Sequence, residues 1–169
     1  VAGACNSIKF FDTVTGSLHS ALVGHGESVF DIEFSPDSTV LASGSYKGTV
    51  KLWDIPTASN HDIVDTPDVC DVAISPRGKF VTSYQADSMK LWNTHTGHLE
   101  LEGHAVAFNQ NEDMVACALH NHTINLQNMK TGAPPLSLDG HTGLVPKLAF
   151  SPDNKLLASA SSDQTVNLW

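Results

Sequence analysis

Arginine is almost missing from this chain: Arg77 is the only one in 169 residues. Nine lysines and arginines against eighteen acidic residues leave a net charge of −9. Binding nucleic acid through counterion release needs a basic face, and these scattered cations supply none. Reading phosphopeptides normally takes an arginine cluster, which is also lacking. Basic or neutral proteins are the expected partners. Apolar runs last only a handful of residues, so no membrane-spanning helix is expected. No basic, apolar leader opens the chain, and with Val1 in first position it reads as a stretch of something longer. Cysteine is scarce and unpaired by spacing: Cys5, Cys70 and Cys117 form no CxxC. Small buried thiols in a reducing compartment, the cytoplasm or else the nucleus, account for them. Helical periodicity is absent throughout. So are a Walker loop, a dinucleotide fingerprint and HExxH, which removes the sequence grounds for an enzyme or a bound cofactor.

What the chain has is a repeat. Gly24-His25 is followed 28 residues past the histidine by Trp53-Asp54, and Gly140-His141 at the same distance by Trp169. Leu91-Trp92-Asn93, a degenerate Leu126-Gln127-Asn128 and Phe10-Phe11-Asp12 mark the same point elsewhere. Positions 11, 53, 92, 127 and 169 are spaced 42, 39, 35 and 42 apart. Within each unit Val29, Ile32 and Phe34, or Val145, Leu148 and Phe150, alternate as a strand. Ser-Pro-Asp then gives a tight turn. Val40-Leu41-Ala42-Ser43 and Leu156-Leu157-Ala158-Ser159 read as strands covered on both faces. Thr-Val-Lys-Leu-Trp or Thr-Val-Asn-Leu-Trp makes a third, and Thr-Gly turns lead to a fourth, outer strand. The units run approximately 1–23 (partial), 24–58, 59–98, 99–135 and 136–169, the last lacking its outer strand.

A period of about 40–45 residues with these dipeptides resembles the WD-repeat family. The resemblance covers the whole chain and implies an all-β propeller, about four blades of four-stranded antiparallel meander. Family rings close at roughly seven or eight blades, so an open partial ring is expected, completed by covalent continuation or by a homodimer. The family's blades are locked by a tetrad of histidine, serine or threonine, aspartate and tryptophan. Carried over, it falls on His141, Ser159, Asp163 and Trp169 in the last unit. The second unit keeps His25, Ser43 and Trp53 but has Lys47 for the aspartate. The third keeps Thr82 and Trp92, with Asp65 at the histidine position and Ala86 at the aspartate position; Asp87 substitutes if the turn shifts by one. The fourth keeps His104 alone, beside Cys117, Asn121 and Gln127. It also lacks about five residues after that histidine, which should shorten its inner strand or the loop above, leaving it the least stable blade.

Partners of such propellers often dock on the rim, where the first strand begins and on the residue before the tetrad aspartate. These positions are Ser28 and Phe30 with Tyr46; Asp68 and Cys70 with Gln85; His120; and Leu144 and Pro146 with Ser162. Exposed aromatic or apolar side chains there suit a hot spot; the competing reading is that Phe30 and Leu144 merely cover the next blade. His141, Ser159 and Asp163 superficially form a triad, but the repeat sets them inside a blade, facing no substrate. His95 with His98, and His120 with His122, lack the further ligands a metal requires. Asn121-His122-Thr123 is a formal sequon that reads better as a turn. The expected function is a non-catalytic scaffold or sensor binding a protein or peptide. The style of Leu156–Trp169 is similar to the arrays of fungal NACHT-type receptors; a structural subunit of a stable complex (RNA processing, chromatin or signalling) is the alternative.

Overall fold

A computed structural model describes residues 2–4, 6–46, 48–57, 59–65, 69, 71–85 and 88–169, with backbone alone for 2–4 and 60–65. Every regular element among them is a β-strand, in five antiparallel sheets. The first holds β1 (Ala2–Ala4), β2 (Ser7–Phe11) and β3 (Leu18–Val23). The second holds β4 (Val29–Phe34), β5 (Val40–Ser45), β6 (Thr49–Asp54) and β7 (Asn60–Asp65). The third is β8 (Asp71–Ile74), β9 (Phe80–Tyr84), β10 (Met89–Asn93) and β11 (Leu99–Gly103). The fourth is β12 (Ala105–Phe108), β13 (Met114–Ala118), β14 (Ile124–Asn128) and β15 (Leu136–Leu138). The last is β16 (Lys147–Phe150), β17 (Leu157–Ala160) and β18 (Val166–Leu168). Strands pair in chain order, so every sheet is a meander. The sheets end after 65, 103 and 138, later than the unit limits at 58, 98 and 135, because the outer strand follows the tryptophan turn and stays with its own sheet.

Turn chemistry explains the strand ends. Asp37 Oδ1 accepts the Ser35 hydroxyl at 2.6 Å and the Thr39 amide at 3.1 Å, while Ser38 turns left-handed at φ 59°. Asp153 and Asn154 repeat the arrangement. Beyond the third strand, Asp12 takes the Thr15 amide at 2.6 Å, Asp54 the Thr57 amide at 2.8 Å and Asn93 the Thr96 amide at 3.1 Å. These Asx turns direct the chain into each outer strand.

The core is a stack of separate layers between neighbouring sheets. Ile8, Leu22, Leu41 and Trp53 fill the first seam, and Ala42, Leu52, Val72, Val81 and Trp92 the second. Phe80, Leu91 and Val115 fill the third; Ala105, Ala116, Ile124, Leu148 and Leu157, with Trp169 against them, fill the fourth. Each tryptophan therefore seals its sheet against the one before it. At the third seam Gln127 stands where an indole would, and Phe80 stacks on Phe108 with centroids 5.7 Å apart. A cavity lined by Ile74, Val106, Phe108, Leu148 and Phe150 draws the inner strands of the last three sheets around one space.

Candidate binding rim

The side-chain networks inside the sheets fix what the rim can present. In the last sheet the His141 Nε2 lies 2.8 Å from the Ser159 hydroxyl and Nδ1 lies 2.8 Å from Asp163 Oδ2. The Trp169 indole donates to Ser159 at 2.9 Å. The bonding roles close when the serine proton goes to Nε2 and the imidazole carries its own on Nδ1. Asp163 also accepts from the Thr165 hydroxyl at 2.6 Å and the Thr142 amide at 2.9 Å. The Thr165 hydroxyl foremost, then the Thr142 amide and His141, hold its carboxyl well below the usual range.

The second sheet repeats this with His25 at 2.6 Å and the Trp53 indole at 2.8 Å from Ser43. Lys47 lies outside the described residues, and His25 Nδ1 meets the Thr49 hydroxyl at 3.2 Å. Thr165 approaches His141 identically, at 3.2 Å. This threonine stands two residues after the aspartate position and recurs in Thr49-Val50 and Thr165-Val166, the one sign of its role in the sequence.

The third sheet corrects the sequence reading. The hydroxyl under the Trp92 indole is Ser83, at 3.0 Å, and Thr82 instead donates to the Ala73 carbonyl at 3.2 Å. Serine and tryptophan are ten residues apart in the second and last sheets but nine here, because the hairpin is one residue shorter. Strand register agrees: the serine always stands two beyond the tryptophan's cross-strand partner, Leu41, Val81 or Leu157. Ala86 and Asp87, the two candidates for the aspartate position, lie outside the described residues. Gln85 itself is half-buried and donates its amide to the Ser88 carbonyl.

In the fourth sheet Cys117 takes the serine's place, buried, with its thiol pushed up to about 11 by burial. No bonded network forms there: the buried Nε2 of His104 has no partner, and the Gln127 amide turns away to the Ala133 carbonyl at 2.8 Å. The His104 ring rests against His120 at 4.0 Å. The deletion removed the loop, since only His104 separates β11 from β12, while the inner strand keeps four residues like β8 and β16.

Of the expected rim residues, Ser28, Phe30, Tyr46, His120, Leu144, Pro146 and Ser162 are exposed; Asp68 and Cys70 lie outside the described residues. Two of the expected pairs meet. The Tyr46 amide donates to the Ser28 carbonyl at 3.0 Å, and the Ser162 amide to the Leu144 carbonyl at 2.8 Å. Tyr46 is 75% exposed, Phe30 and Leu144 43% each. Phe30 is partly turned to its own sheet and partly to solvent. Its ring edge would lie 3.4 Å from a Cβ on Gly44, beside Val72 of the next sheet, yet much of it faces solvent. Acidic groups lie close along the inner strands. Asp31 Oδ2 takes the Val72 amide and Glu33 Oε2 the Ile74 amide, each at 2.7 Å. Among the described residues no group of three His, Cys, Asp or Glu is placed to hold a metal, and no helix is long and apolar enough to cross a membrane.

The family model "WD domain, G-beta repeat" matches residues 16–54 and 132–169. Periodic tryptophan protein 2 of Arabidopsis thaliana is 26% identical over 97% of the chain, which spans 20% of that protein. WD repeat-containing protein SL1-17 of Schistosoma mansoni is 30% identical over 92% of the chain, spanning 60% of it. Apoptotic protease-activating factor 1 of Danio rerio is 28% identical over 98% of the chain, spanning 15% of it. The chain thus covers less than two thirds of each.

Proposed function

From the premise that the chain is built of WD repeats, we propose that it is a non-catalytic binding platform, taking a protein or peptide on the rim formed by Phe30, Tyr46 and Leu144. The WD family is generally one of scaffolds, and its recurrent serine, histidine and aspartate are consumed here in holding tryptophans. Tyr46 carries the reading. A tyrosine three-quarters exposed at a turn tip gains nothing from folding, yet it is the kind of anchor that interfaces favour. The acidic inner strands beside it favour a basic segment over an acidic one. The parent protein we propose is a longer receptor of the NACHT type, on the style of Leu156–Trp169 and the similarity to apoptotic protease-activating factor 1. A reducing compartment, the cytoplasm or nucleus, suits the free buried Cys117.

The test is a peptide-display selection against the chain, followed by titration of the recovered peptides with Phe30→Ala/Tyr46→Ala. Loss of affinity of at least about thirtyfold, the scale of a hot spot, with unchanged tryptophan fluorescence, supports the rim. Peptides that bind the double variant equally well place the site elsewhere.

A further inference from the structure

Two turns of the third sheet meet at the end of the strands away from the rim: residues 75–79 between β8 and β9, and 94–98 between β10 and β11. The Thr94 amide donates to the Lys79 carbonyl at 2.9 Å. Its hydroxyl lies within bonding distance of the Gly78 and Lys79 carbonyls, at 2.8 and 2.9 Å. Between the turns is a cleft of about 380 Å³ lined by Arg77, Lys79, Phe80, Asn93, Thr94 and His95. The cross-turn amide bond fixes the matching positions elsewhere, since Ile55 donates likewise to Thr39 and Met129 to Asp113. By that register Arg77 stands where the second and last sheets have Asp37 and Asp153, and Asn93 where the first and second have Asp12 and Asp54. In the fourth sheet the matching pair Asp113 and Lys130 closes an ion pair at 3.2 Å. In the third that pair is Lys79 and His95, two bases and no acid.

We propose that this cleft is a second docking point, taking the carboxylates of an Asp/Glu-rich segment of a partner protein. Arg77, Lys79 and His95 are all exposed, and none of them forms an ion pair among the described residues. The Arg77 guanidinium is steadied by a neutral acceptor, Asn111 Oδ1 at 3.2 Å, which leaves its charge and the rest of its N–H fork to a ligand. Two acids are bonded to the walls. The buried Glu112 accepts the Arg77 amide, and Glu100 on β11 accepts from the Asn93 side chain at 3.3 Å. A chain of net charge −9 that gathers its one arginine, a lysine and a histidine in one cleft has a local field opposite in sign to the whole. One arginine and one lysine on neighbouring positions match separate carboxylates, whereas a phosphate is usually met by several arginines. The rim and this cleft therefore select segments of opposite charge at opposite ends of the strands.

Amide NMR of the intact chain, titrated with a hexaglutamate peptide at low salt, tests the cleft. Shifts should concentrate on Gly78, Lys79, Thr94 and His95 and saturate with a Kd below about 1 mM, weakening as salt is raised. Arg77→Ala/Lys79→Asp removes both cations and sets an acid opposite His95, as the fourth sheet does opposite Lys130. It should weaken binding by at least about tenfold with tryptophan fluorescence unchanged. Phe30→Ala/Tyr46→Ala should bind this peptide as the unaltered chain does, which separates the cleft from the rim. Shifts of the unaltered chain that map elsewhere, or that do not saturate, overturn the proposal whether or not the variant folds. Equal affinity in Arg77→Ala/Lys79→Asp overturns it as well. So does a phosphoserine peptide of matched charge binding more than about tenfold tighter, because the cleft would then be a phosphate site.

Discussion

Serine 43, 83 and 159 each accept an indole proton, and that single oxygen explains why three tryptophans sit in equivalent surroundings. Removing it strands a buried N–H, at a cost of about 1–3 kcal/mol. Ser83→Ala should lower stability by that amount and shift the Trp92 indole resonance, whereas Thr82→Val should leave that resonance in place. The reverse pattern would restore threonine to the tetrad. Cys117 behaves differently. With its thiol held near 11, the thiolate is on the order of a thousandth of the population at pH 8. Alkylation mapped by mass spectrometry should therefore reach Cys117 only on unfolding; rapid native labelling would mean the site is open. Ser43 and Ser159 follow from counting back from tryptophan, but Ser83 does not, because a shortened hairpin changes the count while preserving the register.

At the scale of the sheet, the fourth blade is the exception. It has lost the serine, the aspartate and the tryptophan, and its chain passes from β11 to β12 through one residue. That economy demands close approach: a Cβ on Gly103 would stand 2.3 Å from the Ala118 carbonyl oxygen and 2.7 Å from the Cys117 sulfur. Backbone cannot yield as a side-chain tip can. Gly103→Ala should cost about 3 kcal/mol, the upper part of the overpacking range, read by denaturant titration. A cost below about 0.5 kcal/mol would show that the two strands separate freely. Hydrogen exchange should also rank β13 below β5 and β17, since it alone has no bonded histidine beneath it. Equal protection in all three would mean that apolar packing, here reinforced by Phe80 on Phe108, suffices without the polar lock.

For the molecule as a whole, charge sets an acid limit and a neutral slope of opposite origin. Asp163 is held low chiefly by the Thr165 hydroxyl, and Asp37 and Asp153 by the hydroxyls of Ser35 and Ser151. Such carboxylates stabilise the fold above their unfolded value of 3.8 and lose that as pH falls through the folded one. Asp71 works the other way, losing its contribution as pH rises through 6. The thermal midpoint should therefore peak between about pH 4 and 6. Asp163→Asn should flatten the acid side and Asp71→Asn the neutral side. A peak above pH 7 would contradict the balance of these groups.

The sequence by itself determined the strand order, the turns, the tetrad of the last unit and the histidine, serine and tryptophan of the second. Those depend on contacts repeated at a fixed spacing, and repetition is visible in one dimension. Only the tertiary structure decided which hydroxyl lies under Trp92, that Phe30 is only partly exposed, and that Asp31 takes the Val72 amide. Each of these joins residues across a seam or a hairpin whose length varies, and no local pattern encodes a distance between two sheets.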